Sequence, residues 1–216
     1  MNIADRATYL AELVDRMRQS EPNGVVSIVC HGHSVPAGYS ATPLVATFDA
    51  YPHLLHRGLK ERFPFAVLNV IVTAIGGENS AGGAARFEAD ALCHRPEVVT
   101  IDYALNDRGI GLAEAEKNWR AMIEAALARG AKVILMTPTA DLREAGTALK
   151  EHAEQIRTLA GEYEVGLADS LAAFEAYAAG PQAALSDLMS WVNHPNRAGH
   201  ELVARELMRW FPIRYA

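Results

Sequence analysis

Short apolar runs alternate along this chain with longer stretches in which apolar positions recur every three or four residues. Val25 to Cys30, Phe65 to Val72, Val98 to Tyr103, Lys132 to Met136 and Val165 to Ala168 read as strands, and their near-continuous hydrophobicity suits a parallel sheet covered on both faces. Between them the period changes to that of helices. Met1 to Ser20 is amphipathic, His53 to Phe63 carries Leu54, Leu55, Leu59 and Phe63 before Pro64 stops it, and another helix runs through Phe87 and Leu92. Leu112 to Arg129 places Leu112, Ala115, Trp119, Met122, Ile123, Ala126 and Leu127 on one face and ends at Gly130. Further helices are predicted over Leu149 to Tyr163, from Asp169-Ser170 onward, and from Arg197 to Trp210. Alternation of this kind predicts a doubly wound α/β fold.

The polar breaks between these elements carry the chemistry. A turn at Glu21-Pro22-Asn23-Gly24 leads into the first strand, whose apolar run ends in His31-Gly32-His33-Ser34-Val35-Pro36-Ala37-Gly38. Ser34 is thereby lifted to the carboxyl rim of the sheet, where open α/β folds bind their ligands. The segment from Tyr39 to Pro52 contains Thr42-Pro43 and Tyr51-Pro52, prolines that restrict the preceding residues and predict an irregular wall near Ser34. After the second strand, Ala74 to Gly83 holds four glycines in ten residues, which suits close approach of backbone to a ligand. Leu105-Asn106-Asp107-Arg108-Gly109 follows the third strand, Thr137 to Asp141 the fourth, and Ser190 to His200 precedes the last helix.

Composition narrows the classes. The 216 residues fit a single domain, 1–216, with room for a sizeable core, and no internal repeat, low-complexity tract or linker interrupts them. A net charge of -6 without a block of like charges gives no reason to expect nucleic acid or stable membrane insertion and favours a small-molecule substrate. The charged residues of the first helix exclude a secretory leader there, and no run has the roughly 18 to 20 apolar residues of a membrane span. Cys30 and Cys93 lie in or near apolar stretches, are expected to be buried, and lack zinc-type spacing, so the expected compartment is the cytoplasm.

Ser34, the glycine turn after the second strand, Asn106 and His194 form an ordered set that resembles the SGNH (GDSL-type) hydrolase family from about Val25 to Trp210. His194-Pro195-Asn196 with Gly199-His200 is the sharpest of the matching blocks. The resemblance implies a flavodoxin-like three-layer α/β/α sandwich with a parallel sheet in the order 2-1-3-4-5 and an esterase, thioesterase, lysophospholipase or carbohydrate deacetylase activity. It implies Ser34 as nucleophile, His194 as general base, and Gly77 and Asn106 as oxyanion-hole members beside the Ser34 N–H. No cofactor or metal is implied. Two positions depart from the pattern: Gly32-His33-Ser34 stands for Gly-Asp-Ser, and Trp191 stands where an aspartate should precede the histidine by three residues. A backbone carbonyl or Asp187 is then left to orient His194.

The favoured activity is cleavage of short acyl esters, such as acetyl on a carbohydrate, through an acyl-enzyme, with Tyr39, Phe48 and Tyr51 as candidate stacking surfaces. Thioesters and lysolipids are the rivals within the fold. His31-x-His33, joined by His194 or Asp107, permits a metal-dependent hydrolase instead. Loss of the acid at position 191 also permits a noncatalytic ligand-binding relative. Asp107, Arg108 and Asp141 are expected to have structural or surface roles, and His200 a structural one.

Overall fold

The computed structural model describes residues 2–21, 24–143 and 146–212; Met1 and the Pro22-Asn23 portion of the predicted first turn lie outside the described residues. Strands β1 (Val25–Gly32), β2 (Val67–Ala74), β3 (Val98–Asp102), β4 (Lys132–Met136) and β5 (Gly166–Ala168) form an all-parallel sheet in the order β2-β1-β3-β4-β5. Helices α1 (Ala11–Arg18), α2 (Ser34–Ala37), α3 (Tyr51–Arg62), α4 (Ser80–Arg86), α5 (Ala104–Asp107), α6 (Leu112–Ala128), α7 (Ala148–Glu162), α8 (Ser170–Ala178) and α9 (Arg197–Met208) connect the strands and cover both faces.

Strand alternation divides the core. Consecutive strand side chains point to opposite faces, so Ile28, Cys30, Val98, Ile134 and Met136 pack with α1, α3, α8 and α9, whereas Val29, Val99, Ile101, Val133 and Leu135 pack with α6. α7 straddles the edge, giving Leu149 and Ala153 to the first cluster and Ile156, Leu159 and Ala160 to the second. Trp119 and Trp210 are fully enclosed, one in each layer.

Several boundaries differ from the pattern-based ones. The first helix is confined to Ala11–Arg18, because Asp5 accepts the Ala7 N–H with its side chain and holds the preceding residues in turns. β2 begins at Val67, not Phe65, and extends to Ala74; Phe65 is exposed. β1 runs two residues past Cys30 because His31 and Gly32 remain paired with Thr73 and Ala74 on one side and Ile101 and Asp102 on the other. The helix through Phe87 and Leu92 is broken into α4, a wide π turn at Phe87–Ala91 and a tight 3-10 turn at Leu92–His94. That break leaves Cys93 exposed, contrary to the expected burial; Cys30 is buried.

Candidate active site

The backbone must pass through a crowded point to present Ser34. A Cβ on Gly32 would lie 2.6 Å from the Asp102 carbonyl oxygen and 2.7 Å from Pro36 Cγ, so only glycine lets β1 turn into α2 here. His33 caps that short helix, its Nδ1 accepting the Val35 N–H at 3.3 Å, and Gly38 closes it with φ +92°. Ser34 is therefore fixed at the first position of a helix at the carboxyl end of β1, an interior strand of the sheet.

His194 reaches Ser34 from the opposite end of the chain. Asn196 caps α9 by accepting the Gly199 N–H at 3.1 Å, while its amide donates to the Asp187 carbonyl at 2.8 Å. Gly199 is needed because a Cβ there would lie 2.3 Å from the Leu188 carbonyl oxygen. The loop so held places His194 Nε2 3.0 Å from Ser34 Oγ, with the histidine only 7% exposed.

The other ring nitrogen fixes the proton. His194 Nδ1 lies 2.9 Å from the Ser40 carbonyl oxygen, which can only accept, so Nδ1 carries the hydrogen and Nε2 presents its lone pair to the serine hydroxyl. Burial pushes the His194 imidazole below the ordinary histidine value; the Ser40 carbonyl opposes that shift, and His33 and Arg143 add to it. Trp191 is half exposed, and its backbone N–H donates to the His194 carbonyl at 3.3 Å. Asp187 is exposed and its carboxylate accepts the Ala184 N–H at 2.9 Å, closing a 3-10 turn, so it does not orient His194. Of the two orienters open to the sequence, the structure provides the carbonyl.

Gly77 and Asn106 meet at the next corner. Ile75 N–H donates to the Gly32 carbonyl at 3.0 Å, tying the glycine turn to the end of β1, and the Asn106 amide donates to the Glu78 carbonyl at 2.8 Å. Gly77 has φ +79° and open space where a Cβ would be, whereas a Cβ on Gly76 would lie 2.8 Å from the Tyr39 ring. The two glycines thus answer different demands: Gly76 packing, Gly77 backbone conformation. Behind them Glu78 pairs with Arg86, and Tyr103 donates to Glu78 Oε2 at 2.9 Å while accepting from Arg86 at 3.0 Å. This network was invisible to pattern reading, since its members come from three separate elements.

Other expected residues are distributed less favourably. Tyr39 is half buried and its ring lies 5.9 Å from that of His194, whereas Phe48 is exposed at the surface and contacts the His53 ring. Tyr51 cannot face a substrate: it is fully buried, its hydroxyl donates to Asp102 Oδ2 at 3.3 Å and its N–H donates to His200 Nδ1 at 3.2 Å. The aromatic-plus-proline signal at Tyr51 marked a helix start in the core, not a wall of the site.

His31 and His33 do not form a metal pair. His31 Nε2 donates to the Gly83 carbonyl at 3.1 Å and Nδ1 accepts from Thr73 Oγ1 at 2.8 Å, and burial pushes its imidazole down to about 4. It lies among Phe87 and Tyr103, while His33 turns to Ser34 and Asp102. Asp107 is committed to the Ser80 N–H and to Trp119 Nε1, each at 2.7 Å. Asp141 pairs with Arg108 at 2.8 Å and accepts the Arg143 N–H at 2.9 Å; these cations outweigh burial and hold its carboxyl below the usual range. No group of three or more potential metal ligands occurs among the described residues.

A parallel sheet in this order, with a serine and histidine joined at the carboxyl end of β1, defines the class to which comparison assigns the chain. Residues 30–202 match the GDSL-like Lipase/Acylhydrolase family, and the chain belongs to it. The acetylxylan esterase of Geobacillus stearothermophilus has the same fold, with a TM-score of 0.77 at 22% identity over 91% of this chain and 98% of that one. A G-D-S-L family protein from Desulfitobacterium hafniense DCB-2 superposes with a TM-score of 0.70 at 22% identity, covering 86% and 99% of the respective chains. Esterase TesA of Pseudomonas aeruginosa is 37% identical over 93 residues, 42% of this chain; the match spans 45% of that relative's length.

Proposed function

We propose that this protein hydrolyses carboxylic esters through an acyl-enzyme on Ser34. The observation that carries the reading is the 3.0 Å contact between Ser34 Oγ and the unprotonated Nε2 of His194. As Oγ attacks the ester carbonyl, its proton passes to Nε2, and the carbonyl π pair becomes an oxyanion. The Ser34 and Gly77 N–H groups and the second Asn106 amide hydrogen receive that charge; one such donor is worth about 3 to 4 kcal/mol of barrier. Collapse expels the alkoxide, which takes the proton back from His194, and water repeats the sequence to free the acid. Ser40 keeps the base in its working tautomer where a carboxylate would otherwise do so.

A short acyl group on a carbohydrate is the favoured substrate. Tyr39 beside His194 and the exposed Trp191 ring three residues before it offer flat faces of the kind that sugar rings stack upon, and the acetylxylan esterase shares the fold. A second reading, a longer acyl chain, draws on the exposed Leu44, Val45, Phe48 and Ile75 on the loops after β1 and β2. We place the protein in the cytoplasm, where the free Cys30 and the exposed Cys93 thiols would stay reduced.

The test is turnover of p-nitrophenyl esters from acetate to octanoate, followed by acetylated xylo-oligosaccharides. Acetate preference and complete loss in Ser34→Ala are the expected outcome; undiminished turnover by Ser34→Ala would overturn the mechanism, and an octanoate optimum would select the second reading.

A further inference from the structure

Ser34 is in contact with two histidines, and the hydrolytic reading above uses only one. His33 Nδ1 lies 3.3 Å from Ser34 Oγ, and His33 Nε2 lies 3.3 Å from Asp102 Oδ1, close enough for charge attraction although not aligned for a hydrogen bond. The His33 side chain is 1% exposed and that of Asp102 5%. Because Nδ1 accepts the Val35 N–H, the ring hydrogen belongs on Nε2, facing the carboxylate. Tyr51 donates to the other Asp102 oxygen and steers Oδ1 toward the ring. The groups facing His33 are thus Asp102 from β3, Ser34 and Val35 from α2, and His194 from the loop before α9, whose charge is felt between the two rings.

We propose that His33, supported by Asp102, is a second general base on Ser34. In the minor route the Ser34 proton passes to His33 Nδ1 as Oγ forms the acyl bond; the departing alkoxide then takes that proton, and water is deprotonated the same way in deacylation. The imidazolium forms against a buried carboxylate, which His194 lacks. The route is subordinate for a structural reason: protonating Nδ1 gives up the Val35 N–H bond, whereas protonating His194 Nε2 gives up none. The Gly-His-Ser sequence and the strand-end Asp102 then act as one device, set opposite the missing acid at Trp191.

This inference rests on the ester-hydrolase reading, and the experiment separates the two. p-Nitrophenyl acetate turnover is followed across pH in Ser34→Ala, His194→Ala, His194→Ala/His33→Asn and His194→Ala/Asp102→Asn. Asparagine at 33 retains an acceptor for the Val35 N–H, and asparagine at 102 retains one for Tyr51, so the fold is kept; thermal unfolding verifies it, and His33→Gln repeats the test if the first variant unfolds. Removing one base costs on the order of 10²- to 10⁴-fold. His194→Ala should therefore keep a residual rate well above Ser34→Ala that rises through a single titration, and both double variants should lose about ten-fold or more of it together with the titration. Equal rates and pH profiles in His194→Ala and its His33→Asn double variant would overturn the second base while leaving the nucleophile standing. Full activity in Ser34→Ala would overturn the hydrolase reading itself.

Discussion

At Nδ1 of His194 a neutral carbonyl stands where a carboxylate would bring a full negative charge. Hydrogen bonds to charged acceptors are about twice as strong as neutral ones, so the imidazolium gains less stabilisation here, and burial works against it further. In the proposed mechanism the active form is the neutral ring, and a lowered value keeps it neutral to lower pH. The acid limb of kcat/KM should accordingly have its midpoint below about 6.5, the ordinary histidine value; a midpoint above about 7.5 in an initial-rate profile would contradict this. Ser34 was legible in the sequence because it stands where an apolar strand ends in a small turn, whereas Gly77, Asn106 and His194 were legible through the resemblance to a known family. The Ser40 carbonyl was not, since a backbone oxygen leaves no trace in residue type. Asp102 had a trace: a carboxylate closing an otherwise apolar strand, in register with Gly32.

The elements that position the site tolerate little change where they cross. Gly32 marks the closest approach, and the obstruction includes the Asp102 carbonyl, which cannot swing aside as a side chain would. Gly32→Ala should lower stability by about 2 to 3 kcal/mol, at the upper end for overpacking, and should depress kcat more than KM by displacing Ser34. Urea unfolding and steady-state kinetics test both; an unchanged unfolding midpoint would show that β1 and β3 can part. At this scale the five strands were legible because burial on both faces makes them continuously apolar. Their ends were less so: β1 continues through His31, a polar residue that stays in the ladder because both ring nitrogens find partners inside. Tyr51 failed for the reverse reason, as an apolar ring with a polar tip serves core and surface alike.

Across the whole molecule, buried histidines tie stability to pH. Burial holds His31 and His200 down to about 4 in the folded state against an ordinary 6.5, so the unfolded chain takes up protons first as pH falls. Their contribution is complete above pH 6.5 and is lost progressively toward 4. By linkage each is worth about 3 kcal/mol, a substantial share of the roughly 5 to 15 kcal/mol that holds a domain together. Denaturant midpoints should therefore fall between about pH 7 and about pH 5, and a flat profile would show that water reaches both rings. The sheet order was legible from the chain through its resemblance to a known family, whereas the burial of particular histidines was not, because it depends on which polar atoms the packed layers bring within reach.

The serine and its base stand 160 positions apart in the chain, and the carbonyl that orients the base stands 154 away from it. During synthesis the proposed nucleophile is therefore made long before the proposed base that serves its main route. A nascent chain can form β1 and its neighbours, with Ser34 already beside His33 and Asp102, before residue 194 has been made. In the proposed mechanism the main hydrolytic route opens only when the loop before the last helix has docked, so that full activity becomes the signal that the chain has closed.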